Sequence, residues 1–290
     1  MTLWIVAAIA AAVMFSGIAF LAFSRDDRRA DPFNRPRHSR PWDERTGEPE
    51  GTTMAEVPPP SGVPMHATVS EELSVLLESQ ELSFDEDDEP TGPVPRILVT
   101  AAGGTHPGLK RKHNEDSFLV LAEHELYAIA DGMGGYAAGE VASRITVDTL
   151  SRLFSIGDFG ELEMGLPRRG AELASAIRKA NTNVRAQAAQ DSSLAGMGTT
   201  IVCARFSPGR RRVYIATVGD SRCYRIRDGE IRQLTTDHTL AAMGIKGPAG
   251  GKLSRAVGVF DDVDVDVSVD EPLSGDYYVL CSDGLYRMVE

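Results

Sequence analysis

Four short acidic motifs carry the residue types that could do chemistry. They are Gly108-Leu109-Lys110-Arg111-Lys112-His113-Asn114-Glu115-Asp116, Asp131-Gly132-Met133-Gly134-Gly135, Gly219-Asp220-Ser221-Arg222 and Ser282-Asp283-Gly284. The last three follow the apolar runs Leu126–Ala130, Val213–Val218 and Tyr277–Cys281, which read as buried strands. Asp131, Asp220 and Asp283 therefore stand at strand ends, each beside a glycine. Carboxylates gathered at such ends are costly unless cations offset them. A donor set of oxygens, without His or Cys, selects hard ions such as Mg2+ or Mn2+. The glycines let the backbone turn sharply and bring a carbonyl near an ion. Each motif by itself reads equally as a turn: Asp220 fits a turn cap, and Arg222 fits the partner of a surface acid. Cys281 adjoins Ser282-Asp283, but no phosphate loop surrounds it, so a thiol mechanism is set aside.

These motifs need strands to hold them. Ile97–Ala101 is strand-like, and Ser117–Ala122 and Glu125–Ala130 read as a pair about Glu123-His124. Helical periodicity covers Ala138–Phe154, with Val141, Ile145, Leu150 and Leu153 on one face, and Ala171–Gln190, with Leu173, Ile177 and Val184. Thr199–Phe206, Arg212–Val218, Arg222–Arg227 and Glu230–Leu234 are β-rich, with Asp228-Gly229 as a tight hairpin turn. Val263–Val269 and Tyr277–Cys281 add further strands. Two strands, two helices and then consecutive strands break the βαβα alternation of a parallel sheet. The pattern predicts an α+β sandwich of antiparallel sheets with helices outside.

The rest of the chain bounds the setting. A net charge of -12 argues against a nucleic-acid binder. Cys203, Cys223 and Cys281 lack zinc-ligand spacing and read as reduced core thiols, with no disulfides. Residues 3–23 hold no charged side chain and are expected to span a membrane as a helix, making residues 1–24 an anchor. A cleaved signal peptide is the competing reading, but only Met1 and Thr2 precede the apolar run. Arg25, Arg28, Arg29, Arg35, Arg37, Arg40 and Arg45 follow it, which places the remainder of the chain on the cytoplasmic side of a single-pass inner-membrane protein. Residues 25–95 read as a disordered linker. Pro58–Pro60, the absence of Lys and Arg from Thr46 to Pro95 and the acidic run Asp85–Glu89 support that. Within it, Leu73, Leu76 and Leu77 could share one face of a docking or transient helix over Glu71–Leu82.

The pieces GLKRKHNED, ADGMGG, MGTT (Met197–Thr200), VGDSR, TTDHTL (Thr235–Leu240), LSRAVG (Leu253–Gly258) and CSDGL stand in one order along the chain. In that order they resemble the motifs of the PP2C (PPM) family, metal-dependent protein serine/threonine phosphatases, in its bacterial form. The resemblance covers residues from about Thr100 to Glu290. It implies a four-layer α-β-β-α sandwich of two antiparallel sheets flanked by helices. It also implies hydrolysis of phosphoserine and phosphothreonine in proteins, opposing Ser/Thr protein kinases. By the same resemblance Asp131 bridges two ions, Mn2+ or Mg2+, and the Gly132 carbonyl binds one of them. Glu115 and Asp116 hold the first ion, partly through its waters, Asp283 ligates the second, and Asp220 shares a third, looser ion with Asp283. Arg111 grips the phosphoryl group, a task suited to a planar guanidinium that bonds oxygens in pairs. A hydroxide between the ions attacks phosphorus in line with the leaving oxygen.

Three departures from the family are visible. Met133 stands where some members carry a proton-donating His. The segment between His238 and Leu253 is shorter than the usual flap. The family continues past the Ser-Asp-Gly motif to a late strand bearing an Asp-Asn pair, so the domain over residues 96–290 is expected to lack its last strands and to leave an open sheet edge near Tyr277–Cys281. Two rival readings remain at this stage. Gly132–Ala137 fits G-x-G-x-x-A after a strand and before a helix, as in a dinucleotide-binding domain, although Asp131 would repel a pyrophosphate there. A catalytically dead PP2C-like module that binds phosphoproteins or a kinase is the other; the retained Asp131, Asp283 and Arg111 favour an enzyme.

Overall fold

The β-rich runs fold as two antiparallel sheets. The structure, a computed structural model, describes residues 19–26, 97–108, 113–134 and 137–288, all within one compact unit. Its strands are β1 (Ala19–Asp26), β2 (Ile97–Gly104), β3 (Asp116–Leu121), β4 (Leu126–Met133), β5 (Gly198–Thr199), β6 (Ile201–Phe206), β7 (Val213–Val218), β8 (Arg222–Arg227), β9 (Glu230–Gln233), β10 (Asp266–Asp270) and β11 (Tyr277–Cys281). The helices are α1 (Ala137–Ile156), α2 (Arg168–Gln190) and the single turn α3 (Asp283–Tyr286). One sheet runs β10-β7-β6-β4-β3, with β5 added on β4; the other runs β2-β1-β11-β8-β9.

Strands β6 and β7 are buried at every position because both faces of their sheet are covered. Side chains alternate between the two faces. Ile201, Cys203, Ala216 and Val218 pack under the helices with Leu150, Leu173 and Ile177. Val202, Ala204, Val213 and Ile215 meet Cys223, Tyr278 and Leu280 of the other sheet. The far face of that second sheet gathers Ile226, Val279, Cys281 and Leu285, with Tyr224, Tyr277 and Tyr286 against them. Among the described residues, the helical cover on this face is α3. The hairpin turn falls where Asp-Gly predicts it, with Asp228 at φ 52° and Gly229 at φ 86°, both left-handed. Strand β10 begins at Asp266 rather than Val263, because Val263 and Val265 pack onto the helical core from the preceding loop.

Strand β1 corrects two expectations at once. An anchor helix reaching residue 24 and a linker from residue 25 were expected here, yet Ala19–Asp26 form one extended strand. It lies antiparallel to both neighbours, with Ala19 opposite Gly104 of β2 and Cys281 of β11. An apolar run is as compatible with a sheet as with a membrane helix, and unpaired main-chain groups of β2 and β11 would be costly. The expected open edge is therefore closed: β11 is paired on one side with β1 and on the other with β8. No helix among the described residues is long and apolar enough to cross a membrane. The rest of the expected span, residues 1–18, and residues 27–96, including Glu71–Leu82, lie outside the described residues.

This pairing makes a prediction. Deleting residues 1–28 should expose the facing edges of β2 and β11, lower the melting temperature by about 5 °C or more and promote aggregation. Thermal unfolding and light scattering of the shortened and full chains check it; equal melting temperatures would show that β1 contributes nothing.

Candidate active site

Sheet register brings the first acids together. Asp116 on β3 stands opposite Asp131 on β4. The Gly132 amide donates to the Glu115 carbonyl at 3.1 Å, and Ser143 Oγ on α1 donates to that same oxygen at 2.7 Å. Main-chain bonds thus fix Glu115, Asp116, Asp131 and Gly132 at one end of the sheet. The Glu115 side chain lies against the start of α1, close to Gly139.

Two threonines hold the Asp131 backbone. The Thr200 amide and Thr199 Oγ1 both donate to the Asp131 carbonyl, at 2.9 and 2.8 Å. The Asp131 amide in turn donates to Thr200 Oγ1 at 3.1 Å. Thr200 Oγ1 also lies 2.6 Å from Ser221 Oγ, which ties this strand end to the Gly219–Arg222 turn. Met197–Thr200 stands among the ordered motifs, and these bonds give its threonines their role.

The remaining aspartates arrive from the turn after β7 and from the second sheet. Gly219, at φ 105°, turns the chain so that Asp220 follows, and a side chain there would run into Thr200. The Gly219 amide donates to Nδ1 of buried His238 at 3.1 Å. That leaves the His238 proton on Nε2, which donates to Asp266 Oδ2 at 3.0 Å. Ser282 Oγ donates to Asp116 Oδ2 at 3.2 Å, so the end of β11 meets the end of β3 and delivers Asp283 beside it. Arg222 does pair with an acid: its guanidinium forks onto Asp237 at 2.9 and 2.7 Å and stacks on the Tyr286 ring.

Electrostatics confirm that these carboxylates sense one another. Burial first, then the charges of Asp116 and Asp283, a hydrogen bond shared with Asp116 and the charge of Asp220 push Asp131 up to about 9. Asp220 is also raised, by burial and then by Asp283, while the Tyr286 hydroxyl and Arg287 pull it down. Among the described residues no three His, Cys, Asp or Glu side chains form a ready-made ion cage. The aspartates instead lean on protein partners: Ser282 on Asp116, Tyr286 on Asp220, and Arg287 on Asp220 and Asp283. Mutual repulsion and an all-oxygen donor set still fit hard cations, which would relieve it.

Arg111 lies outside the described residues. Burial pushes the Cys281 thiol up to about 12, which keeps it protonated and unreactive. Gly132 and Met133 end β4 and Ala137 begins α1, but β4 is antiparallel to both β3 and β6. The parallel βαβ unit of a dinucleotide-binding domain is not formed around it, and that rival falls.

Two antiparallel sheets flanked by helices, with aspartates converging where the sheet ends meet, define an α+β sandwich carrying an acidic site. The chain belongs to the Protein phosphatase 2C family, whose sequence pattern matches residues 104–290. It is 36% identical over 200 residues to the serine/threonine protein phosphatase PstP of Mycobacterium tuberculosis, a match covering 65% of this chain and 37% of that protein. The chain thus spans little more than a third of that relative's length. The serine/threonine phosphatase stp of Listeria welshimeri is 36% identical over 203 residues, covering 64% of this chain and 77% of that one. Among solved structures, the catalytic domain of PstP in complex with 2 manganese ions matches with a TM-score of 0.53 and 37% identity, over 63% of this chain and 76% of that one.

Proposed function

We propose that the chain hydrolyses phosphoserine and phosphothreonine in proteins, with Mn2+ or Mg2+ bound at the aspartate cluster. The observation that carries this reading is the convergence of acids: Asp116 stands opposite Asp131 across β3 and β4, and Ser282 bonds Asp116 and brings Asp283 beside it. Relatives named serine/threonine phosphatases support the substrate class. Asp131 and the Gly132 carbonyl, Glu115 and Asp116 would hold one ion; Asp131 and Asp283 would hold the next. When bound, the ions supply Lewis-acid polarisation of the phosphoryl group and an activated water. Thr199 and Thr200 keep the Asp131 backbone from shifting as charge changes around it. Arg111 would bond the phosphoryl oxygens and orient phosphorus. Met133 has no proton to give, so the leaving oxygen takes its proton from elsewhere than this position. Ser/Thr protein kinases, which make the substrate, are the enzymes this activity opposes.

The test is phosphate release from a phosphothreonine peptide by the full chain. Release should require Mn2+ or Mg2+, stop in EDTA and return when Mn2+ is added back. Release that continues in EDTA overturns the metal reading. A folded, Mn2+-loaded chain that binds the phosphopeptide without cleaving it is instead a binding module.

A further inference from the structure

We propose that Arg287 supplies, from within the chain, the positive charge at the Asp220–Asp283 pair, in competition with a metal ion there. The proposal rests on the metal-dependent reading above and concerns how many ions the cluster takes.

Arg287 follows Asp283 by one helical turn, the spacing at which an acid and a base on a helix meet. Its Nη1 lies 3.1 Å from Asp283 Oδ2, and its Nη2 lies 3.5 Å from Asp220 Oδ2. One guanidinium therefore spans both carboxylates. The Tyr286 hydroxyl donates to the same Asp220 oxygen at 3.1 Å. Tyr286 is itself fixed, because its ring lies 3.6 Å from the Arg222 guanidinium carbon, and Arg222 is clamped by Asp237. Two adjacent residues of one short segment thus occupy the Asp220 carboxylate.

Burial decides why this matters. The Asp220 side chain is 10% exposed, whereas that of Arg287 is 57% exposed. The guanidinium comes from the solvent side and caps a carboxylate with little water of its own. An ion bound to both Asp220 and Asp283 would need the same oxygens, and like charge excludes it while Arg287 stays. Tethering keeps the guanidinium at high effective concentration, so an ion must displace it together with the Tyr286 hydroxyl bond.

Titrating the full chain with Mn2+ by calorimetry, with free Mn2+ followed by electron paramagnetic resonance, tests this without any activity assay. Arg287→Ala should bind one more Mn2+ per chain than the parent, or bind the weakest ion on the order of tenfold more tightly. Tyr286→Phe, which removes one oxygen, should shift the weakest ion in the same direction by less, and serves if Arg287→Ala misfolds. Unchanged stoichiometry and affinity in both variants overturns the proposal. Weaker binding in Arg287→Ala also overturns it, by making Arg287 a support of the ion. A parent chain that binds no Mn2+ at all overturns the metal reading itself.

Discussion

Asp131→Asn is expected to lower phosphate release on the order of a thousandfold or more, and at the same time to stabilise the metal-free chain at pH 8. The activity loss follows from charge. An amide is nearly the shape of a carboxylate, and the bonds from Thr199 and Thr200 are to the Asp131 main chain, so the strand end should keep its form. What goes is the anion placed between cations. The stability gain follows from the proton. An Asp has an ordinary pKa of 3.8, and the metal-free fold lifts that of Asp131 to about 9 through burial and neighbouring aspartates. Across that window the folded chain holds a proton that the unfolded chain has lost, so each rise in pH favours unfolding. The penalty is absent below 3.8, grows through the window and is complete above about 9. Asparagine never ionises and escapes it, so the variant should be the more stable of the two at pH 8. Bound Mn2+ offsets the same penalty, so metal should stabilise the parent more at pH 8 than at pH 5. Urea unfolding in EDTA and in Mn2+ at both values checks this. Equal stability of parent and variant in EDTA at pH 8 would show that Asp131 meets no such cost.

The acids of this site were legible because their chemistry is written in their type and their setting. One Asp beside a glycine after an apolar run reads as a turn, but three of them at strand ends, with Glu115 and Asp116, point to one cluster. Strand β11 and the Asp228-Gly229 hairpin were equally legible, since a short apolar run and turn chemistry are local. The residues that hold the acids were not. Thr199, Thr200, Ser221 and Ser282 are ordinary hydroxyls until sheet register sets them against Asp131 and Asp116. His238 looked like part of a motif, and only the fold shows it gripping the Gly219 turn and Asp266. Strand β1 was illegible for a different reason. The apolar run that ends at Phe23 suits a membrane or a buried sheet, and its pairing here is with β11, whose Cys281 lies far along the chain. Arg287 is legible from its spacing alone, since an acid and a base four residues apart, as Asp283 and Arg287 are, pair on a helix.

Gly132→Ala should be among the most damaging single substitutions in the chain, although it adds one methyl group. A Cβ at Gly132 would overlap the carbonyl carbon and oxygen of Gly139 on α1 and fall 2.5 Å from the Glu115 carbonyl oxygen. All three are main-chain atoms, so no side chain can swing away to make room. The reverse view agrees, since a Cβ on Gly139 would sit 2.8 Å from the Gly132 carbonyl carbon. Gly132 is not among the positive-φ glycines, so the demand is for space rather than for backbone freedom. To admit the methyl, β4 must part from α1 or the Gly132–Glu115 bond must break. Either costs about 3 kcal/mol or more, a large share of a typical domain's 5–15 kcal/mol. The melting temperature should fall by about 6–12 °C. Either movement also turns the Gly132 carbonyl away from Glu115 and Asp116, so surviving folded protein should bind Mn2+ more weakly. Gly251 makes the contrast: a Cβ there meets nothing within 4 Å, and Gly251→Ala should melt close to the parent. Similar melting temperatures for Gly132→Ala and Gly251→Ala would show that α1 and the end of β4 are not in the close contact on which the geometry of the site depends.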